Sequence, residues 1–450
     1  WQSVTVPHDW AIYGPFSSLN DKQEVAISQD GQKEAMEHAG RTGGLPFVGV
    51  GWYRTEFDVP QFQAGKRATI LFDGAMSHAN VYINGQKVGY WPYGYNSFHF
   101  DITKYLKPGE KNTLAVRLEN LPESSRWYPG AGLYRNVHLI ITEDAYIPVW
   151  GTYITTPSVN EKFAKVNVRT KVVLPEGADP AKYSVETSVW NPNKQKLTAV
   201  RTSLAQMKYN NNQAEQEFVI QAPSLWSPEM PALYSAETRL YEGDKLKDIY
   251  TTPFGIRSIE IIPDKGFFLN GKRTVFKGVC NHHDLGPLGA AVNDAAIRRQ
   301  IRILKDMGCN AIRTSHNMPA PELIRACDEM GMMIMAESFD EWNVAKCKNG
   351  YNLLFDEWAE KDLVNLLHNF RNNPSVVMWC IGNEVPNQWN EGDCKIAKWL
   401  QDICHREDPT RPVTQGMDAP DAVVNNNFAA VMDVAGFNYR PFKYKINYKK

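Results

Sequence analysis

The sequence predicts a multidomain chain in which two β-sandwich domains precede a (β/α)8 barrel. Three observations predict this architecture. The length of 450 residues corresponds to two or three domains. Short alternating segments separated by turns fill the first 260 residues or so, without a helical pattern. From about residue 262, short apolar strands alternate with amphipathic helices, which indicates a parallel sheet.

The first predicted domain, residues 1–145, is all-β. Residues 53–59 alternate apolar and polar side chains, as in a strand with one buried face. The Asn84-Gly85 pair between two apolar runs predicts a hairpin, because both turn residues need a positive φ. Short strands with regular turns are typical of a β-sandwich.

The second predicted domain, residues 146–260, is also all-β. Val166, Val168 and Val172 alternate with polar residues, and Val185, Thr187 and Val189 repeat the pattern. About 115 residues of short strands fit an immunoglobulin-like sandwich.

The third predicted domain, residues 261–450, begins with an Asn270-Gly271 hairpin. Asn293 or Asp294 caps a helix in which Ile297, Ile301, Leu304 and Met307 share a face, and Gly308 ends it. Further helices are predicted at 321–330 and 355–371. The predicted strands are 275–279, 311–313, 332–336, 376–381, 412–415 and 434–437.

Six strands in about 190 residues are too few for a barrel that takes eight strands and about 250 residues. We therefore expect the barrel to be truncated in this chain, with strands seven and eight after Lys450. The chain begins at Trp1 without methionine, so we expect the natural N-terminus to lie upstream, and the cellular location cannot be predicted.

Composition excludes several classes of protein. Lys and Arg number 49 against 50 acidic residues, so the basic excess of a nucleic-acid-binding protein is missing. No uninterrupted run of 18 apolar residues predicts a membrane span. The seven cysteines include no C-x-x-C pair, and His282-His283 are adjacent rather than one helical turn apart, so no zinc site is expected.

Polar and aromatic residues follow four successive predicted strands of the barrel. Functional residues in such barrels lie just past the C-terminal ends of strands. Any one of these segments alone reads as a solvated loop, but four in succession indicate a site. They are residues 281–284 (NHHD), 314–317 (TSHN), 337–342 (ESFDEW) and 382–384 (GNE).

Glu384 is the strongest catalytic candidate among them. It follows the fully apolar run 376–381, which holds it at a rim beside bulky side chains. A carboxyl in that position suits a general acid. The amide of Asn383 beside it can donate to a substrate hydroxyl.

Several segments resemble glycoside hydrolase family 2. Two long signatures lie in the barrel, and shorter similarities lie in the two sandwiches. The segments are 310–319 (NAIRTSHNMP) continued to 328–331, 371–384 (RNNPSVVMWCIGNE), 7–10 (PHDW), 126–135 (RWYPGAGLYR) and 254–257 (FGIR). The resemblance covers the whole chain and implies the order jelly roll, immunoglobulin-like sandwich, TIM barrel.

The resemblance also implies the roles of individual residues. Glu384 corresponds to the acid/base, and Asn383 to the residue that binds the hydroxyl next to the anomeric carbon. The family's nucleophile is a glutamate at the end of strand seven, beyond Lys450. The positions that match sugar-contacting or nucleophile-supporting residues of relatives are His282, His316, Asp340 and Tyr439.

No cofactor is expected from this resemblance. Some β-galactosidases bind Mg²⁺ through a Glu and a His two residues apart after strand three. Here Glu341 matches the first, but Asn343 stands in place of the histidine, which argues against the metal.

The resemblance implies a retaining exo-β-glycosidase with a carbohydrate substrate, and the 7–10 and 337–342 segments favour β-galactosidase. β-Glucuronidase and β-mannosidase are the alternatives within the family, and a non-catalytic carbohydrate-binding protein is the alternative from another class. A homo-oligomer is compatible with the sequence. Because half of the carboxyl pair is expected beyond Lys450, residues 1–450 alone are expected to show no turnover of nitrophenyl glycosides.

Overall fold

The computed structural model describes residues 1–17, 20, 47–61, 65–206 and 213–449. It contains two antiparallel sandwiches followed by a parallel, helix-covered sheet. Among the described residues, no helix has the length and apolar character needed to cross a membrane.

The described part of the first domain, the jelly roll, has two sheets with the strand orders β1-β6-β3-β4 and β5-β2-β7. Its interior includes the stacked rings of Phe72 and Phe98, 5.0 Å apart. Asn84 and Gly85 have φ values of 51° and 81° and connect β3 to β4, as predicted. The strands are β1 (Gly49–Asp58), β2 (Arg67–Phe72), β3 (Ala79–Ile83), β4 (Gln86–Trp91), β5 (Phe98–Asp101), β6 (Lys111–Asn120) and β7 (Val137–Thr142).

The second domain, the sandwich, also has two sheets, with the orders β11-β10-β13-β14 and β12-β9-β8. Val166 and Val168 of β9 face Phe218 of β12 in its core. The strands are β8 (Thr152–Val159), β9 (Phe163–Lys171), β10 (Tyr183–Trp190), β11 (Lys196–Ser203), β12 (Gln213–Gln221), β13 (Tyr234–Glu242) and β14 (Lys245–Phe254).

A small antiparallel sheet then leads into the barrel. It consists of β15 (Ile259–Ile262), β16 (Gly266–Leu269) and β17 (Lys272–Arg273), and the last two are joined by the predicted Asn270-Gly271 turn. Phe267 and Leu269 pack against Ala311 and Met333, the first residues of two barrel strands. The small sheet therefore covers the N-terminal end of the barrel.

The barrel domain has six parallel strands in sequence order. This confirms the predicted fold class and places its elements within a few residues of the predicted ones. The strands are β18 (Gly278–Asn281), β19 (Ala311–Thr314), β20 (Met333–Glu337), β21 (Val376–Asn383), β22 (Val413–Met417) and β23 (Val434–Phe437). The helices are α1 (Asp294–Asp306), α2 (Pro321–Met330), α3 (Phe355–Phe370), α4 (Cys394–Glu407), α5 (Pro420–Asn425) and α6 (Tyr444–Asn447).

Helix α1 shows one error of the sequence prediction. The side chain of Asn293 caps it by accepting from the Ala296 amide, as expected, and Ile297, Ile301 and Leu304 are buried. Met307, however, is 69% exposed. It is the C-cap residue, so it lies at the end of the helix, beyond the last helical residue.

A buried carboxyl joins the jelly roll to the barrel. Asp362 of α3 is fully buried and accepts from Trp91 Nε1 (2.9 Å) and Asn96 Nδ2 (2.7 Å) of the jelly roll. Tyr351 Oη lies 2.6 Å from its other oxygen. Burial raises the pKa of Asp362 to about 7, and these three hydrogen bonds only partly oppose that rise.

The raised pKa makes stability depend on pH. Between an ordinary carboxyl pKa and about 7, the folded protein holds a proton on Asp362 that the unfolded chain releases. Stability is therefore expected to fall as pH rises toward 7, by up to about 1.4 kcal/mol per pH unit for this one proton. Asp362→Asn, whose amide is uncharged, should lack this component when urea unfolding is followed at several pH values.

The matched control is Asp402→Asn, since Asp402 is a more exposed carboxyl, paired with Lys398. In Asp402→Asn, the free energy of unfolding should change with pH as steeply as in the unmodified protein. If the free energy of unfolding of Asp362→Asn has the same pH dependence as that of the unmodified protein, the prediction is wrong.

Candidate active site

The polar residues predicted to follow the barrel strands lie at one edge of the parallel sheet. Asn281 ends β18, Glu337 ends β20, and Asn383 ends β21. His316 follows β19, and Asn438 follows β23. Because the strands are parallel and in register, their C-terminal ends meet at the same rim.

Glu384 lies half-buried at this rim, immediately after β21. Its backbone has φ 44°, and its amide donates to the carbonyl of Gly416 on β22 at 2.7 Å. Its carboxylate Oε1 accepts from Asn438 Nδ2 at 2.7 Å. The side chain is thus oriented by two neighbouring strands and still reaches solvent.

Asn383 is 1% exposed, and its amide orientation is fixed by charged neighbours. Its Oδ1 accepts from Arg313 NH2 and from Asn438 Nδ2, each at 3.0 Å. Its Nδ2 donates to Asp340 Oδ1 at 3.0 Å. An amide nitrogen carries two hydrogens, so one remains for a substrate hydroxyl.

Glu337 forms a buried charged cluster below the rim. Its side chain is 0% exposed, Arg313 Nε donates to Oε2, and His316 Nδ1 lies 2.5 Å from Oε1. Cys380 Sγ contacts Oε2 at 3.0 Å. Burial alone would raise the pKa of Glu337, but the charges of Arg313 and His316 hold it below its usual range.

Asp340 is held by two cations from different domains. Arg126 of the jelly roll donates from Nε to Oδ2 at 2.8 Å and from NH2 to Oδ1 at 2.7 Å. Lys346 Nζ lies 3.1 Å from Oδ1 and 2.5 Å from the Asn383 carbonyl. Despite the effect of burial, Lys346 and Arg126 hold the pKa of Asp340 well below its usual range. The carboxylate is neutralised, so it does not by itself repel an anionic substrate.

Trp127, also from the jelly roll, forms an aromatic wall beside the two histidines. Its ring lies 4.6 Å from His282 and 4.8 Å from His316, and the Arg126 guanidinium stacks on it at 4.3 Å. His282 Nδ1 is buried and lacks a hydrogen-bond partner among the described residues. Burial and the nearby His316 lower the pKa of His282, which favours a neutral imidazole. An unpartnered polar atom on a wall of this kind suits a ligand hydroxyl.

Tyr439 follows Asn438 and is 69% exposed, with φ 56°. Its predicted contact with substrate stays a prediction, as do the roles of His282, His316, Asn383 and Asp340 in sugar binding. At Glu384 itself, the hydrogen bond comes from Asn438, one residue before Tyr439.

Five residues of this site were not assigned from the sequence. They are Arg126, Trp127, Arg313, Lys346 and Asn438. Arg126, Trp127 and Arg313 lie within the segments that carry the family resemblance. The resemblance could therefore have pointed to them, but no role in the site was assigned to them. No sequence pattern around Lys346 or Asn438 indicates that either residue belongs to the site.

The residues after β20 do not fit a magnesium site. Both carboxylate oxygens of Glu341 accept backbone amides: Oε2 accepts from Lys346 and Cys347, and Oε1 from Asn352 at 3.2 Å. Asn343 Oδ1 accepts from Asn387 Nδ2 at 2.9 Å. Within the described ranges, His, Cys, Asp and Glu form no group of three arranged to hold a metal ion.

Three family models match the chain in succession. They are described as "Glycosyl hydrolases family 2, sugar binding domain" (residues 45–143), "Glycosyl hydrolases family 2" (146–257) and "Glycosyl hydrolases family 2, TIM barrel domain" (260–442). The chain belongs to glycoside hydrolase family 2. This confirms the resemblance found in the sequence.

Relatives within the family differ in the activity they are named for. The β-galactosidase BoGH2A of Bacteroides ovatus is 40% identical, and the match covers 98% of this chain and 53% of that protein. A β-glucuronidase of Bacteroides fragilis is 32% identical, with 81% of this chain and 54% of that protein covered. The chain therefore spans about half the length of these relatives.

Solved structures show the same architecture. The crystal structure of a family 2 member from Bacteroides cellulosilyticus matches with a TM-score of 0.89 at 34% identity, covering 100% of this chain and 56% of that one. A β-glucuronidase 2 from Bacteroides uniformis, covalently bound to cyclophellitol-6-carboxylate aziridine, matches with a TM-score of 0.78 at 25% identity, covering 98% and 52%.

The ion pairs of Asp340 predict a large effect of its removal on stability. Asp340→Ala leaves Arg126 and Lys346 without their counter-charge, which should lower the free energy of unfolding by about 3 kcal/mol. The double variant Asp340→Ala/Lys346→Met should recover part of the lost free energy of unfolding, because it removes one of the two buried cations that no longer have a counter-charge. Urea denaturation of both variants tests this.

Asp402→Ala is the control, because its ion pair with Lys398 is exposed (side chains 55% and 64%) and should be worth less than about 1 kcal/mol. Equal losses for Asp340→Ala and Asp402→Ala would refute the proposed importance of the buried cluster.

Proposed function

We propose that this chain is part of a retaining exo-β-glycosidase that removes terminal non-reducing β-D-galactose. The observation that carries the proposal is the placement of Glu384 at the C-terminal rim of the barrel. Its carboxylate is oriented by Asn438 and remains accessible, and Asn383 and the Trp127 wall lie at the same rim. The membership in family 2 supports the reaction class.

The proposed mechanism is a double displacement. Glu384, as the acid, gives its proton to the glycosidic oxygen while a second carboxylate attacks the anomeric carbon and forms a glycosyl-enzyme. Glu384, now a carboxylate, then takes a proton from water as that water attacks the anomeric carbon and releases the sugar. The second carboxylate must lie about 5–5.5 Å from the first in a retaining enzyme.

Two other carboxylates near the rim are poorly suited to act as the nucleophile. Glu337 is fully buried, and Arg313, His316 and Cys380 occupy both of its oxygens. Asp340 accepts from Arg126, Lys346 and Asn383. We therefore keep the expectation that the nucleophile is a glutamate of strand seven, in sequence that follows residue 450 in the whole protein.

The choice of galactose is supported by the 40% identity to a protein named as a β-galactosidase. β-Glucuronidase is the second candidate, and a specific observation favours it. Arg126 and Lys346 place two cations close to Glu384, with Asp340 between them, and a substrate carboxylate could pair with either. No comparable feature favours β-mannosidase.

The acid role of Glu384 is tested by leaving-group dependence in the whole protein. Glu384→Gln removes the proton donor and keeps the side chain's size. With a poor leaving group such as the glucose of lactose, the rate of glycosylation should fall by about 10²–10⁴-fold. With dinitrophenol, which departs without protonation, the same step should fall much less.

Equal losses in the glycosylation step for the two substrates would remove Glu384 from the acid role. A well-folded whole protein without turnover of any glycoside, but with saturable sugar binding, would support the non-catalytic alternative.

Sugar specificity is tested by assaying nitrophenyl β-galactoside, β-glucuronide and β-mannoside side by side. We expect the galactoside to have the highest kcat/KM. Lys346→Gln should then lower kcat/KM for all three substrates in similar proportion, because Lys346 acts through Asp340 and Asn383. If the glucuronide is the best substrate and Lys346→Gln reduces it selectively, the galactosidase assignment is wrong.

A further inference from the structure

A cavity lies where the sandwich meets the barrel, and we call it the junction cavity. Its volume is about 800 Å³. Strands β8 and β9 of the sandwich line one side, and the C-terminal ends of α3 and α4 with the following loops line the other. Six arginine and lysine side chains, two histidines (His99 and His368) and one carboxylate, Glu407, line it. The arginines and the lysine are Arg169, Lys171, Arg257, Arg371, Arg406 and Arg411.

The basic charge of the junction cavity is only partly compensated. Glu407 lies 2.7 Å from Arg406, 2.7 Å from His368 and 4.0 Å from Arg371. Three further carboxylates pair with the cavity's cations from outside its wall: Asp408 with Arg411 (2.6 Å), Glu360 with Arg406 (2.9 Å) and Glu215 with Arg169 (3.9 Å).

Two of the six cations therefore remain without a carboxylate among the described residues. Arg257 is 8% exposed, and within the described ranges its side chain donates to the carbonyl oxygens of Pro374 (2.6 Å) and Val376 (2.7 Å). Lys171 is exposed and forms no ion pair within the described part of the chain.

Among the described residues, Arg371 has a side-chain donor in this cluster without a partner. Its side chain is 13% exposed, and its Nε is buried without a hydrogen-bond partner among the described residues. Its guanidinium lies 4.5 Å from the ring centroid of Tyr153, and that of Arg169 lies 5.9 Å from the same ring. The two guanidinium groups therefore lie near the same ring and repel each other. A bound anion would offset this repulsion and could accept from the unpartnered N–H of Arg371.

The junction cavity is far from the candidate active site. Arg257 and Arg411 donate to the carbonyl of Val376, the first residue of β21, whereas Glu384 follows its last residue. Eight residues of extended strand separate these points by about 26 Å. A ligand in the junction cavity would therefore not occupy the sugar site.

We propose that the junction cavity binds a tetrahedral oxyanion, a phosphate or sulfate group, through Arg371, Arg169 and Lys171. Arginine guanidinium groups bind such oxygens in pairs, and the charge of Lys171 adds to the attraction. The volume exceeds what a bare ion needs and lies in the range of small-molecule pockets. The oxyanion can therefore be free or carried as an ester on a small molecule such as a sugar.

The proposal is tested by calorimetric titration with four probes at constant ionic strength. The probes are inorganic phosphate, inorganic sulfate, glucose 6-phosphate and, as the reference, sodium chloride. The unmodified protein should bind at least one oxyanion saturably and show no saturable heat with chloride. If glucose 6-phosphate binds more tightly than phosphate, the ligand of the junction cavity is an ester. If it binds equally or more weakly, the ligand is the free ion.

Arg169→Gln/Lys171→Gln should weaken this binding by about tenfold or more, since two charge-assisted contacts are lost. Both residues are exposed, so folding should survive. Lys165→Gln is the matched control, because Lys165 lies on the same strand and the same face but outside the cavity, paired with Glu217. It should bind like the unmodified protein.

Three results would overturn the proposal. They are no saturable binding of any oxyanion, equal weakening by Lys165→Gln, and unchanged anion binding in the double variant with only a lower unfolding temperature. The last result would assign these cations a purely structural role at the junction. None of these measurements depends on glycoside turnover, so they stand apart from the test of the proposed function.

Discussion

The ion pair between Arg126 and Asp340 is the interaction on which the rest of the site depends. It joins a loop of the jelly roll to the rim of the barrel through two hydrogen bonds of 2.7 and 2.8 Å. Asp340 then fixes the amide of Asn383, which in turn accepts from Arg313. Because both partners are largely buried, loss of Asp340 would leave the charges of Arg126 and Lys346 uncompensated next to the proposed acid/base.

The jelly roll is therefore part of the candidate active site. Trp127 follows Arg126 directly, so the same ion pair places its ring against His282 and His316. Away from the rim, the contact continues through Asp362 of α3, which is buried and accepts a hydrogen bond from Trp91 of the jelly roll. Polar contacts of this kind are directional, and they fix the orientation of the two domains more strictly than apolar packing alone would.

The two ends of the barrel strands have opposite chemistry. At the C-terminal rim, carboxylates and cations are matched in compact clusters around Glu337 and Asp340. At the N-terminal end, where the sandwich packs, arginines such as Arg257 are satisfied by carbonyl oxygens and leave an excess of positive charge. The first arrangement lies beside the proposed acid/base, and the second is the basis of the proposed anion site. Both are produced by domains that contact opposite ends of one sheet.

The sequence by itself determined the order of the domains, most elements of the barrel and the position of Glu384. These depend on local signals, since periodicity and turn residues act within a few positions: α2 begins at Pro321 and ends before Gly331, and Asn84-Gly85 turns between two strands. Even so, Met307 was predicted to share the face of Ile297, Ile301 and Leu304, whereas it is the exposed C-cap residue that follows the helix.

Only the tertiary structure decided which residues surround Glu384. Arg126 and Asp340 are 214 residues apart in sequence, and nothing near either position predicts the other as its partner. Lys346 and Asn438 likewise reach the rim through loops whose paths depend on packing. A charge pair across domains is fixed by the way the domains dock, and that depends on all of their contacting surfaces together, which no short window of sequence contains.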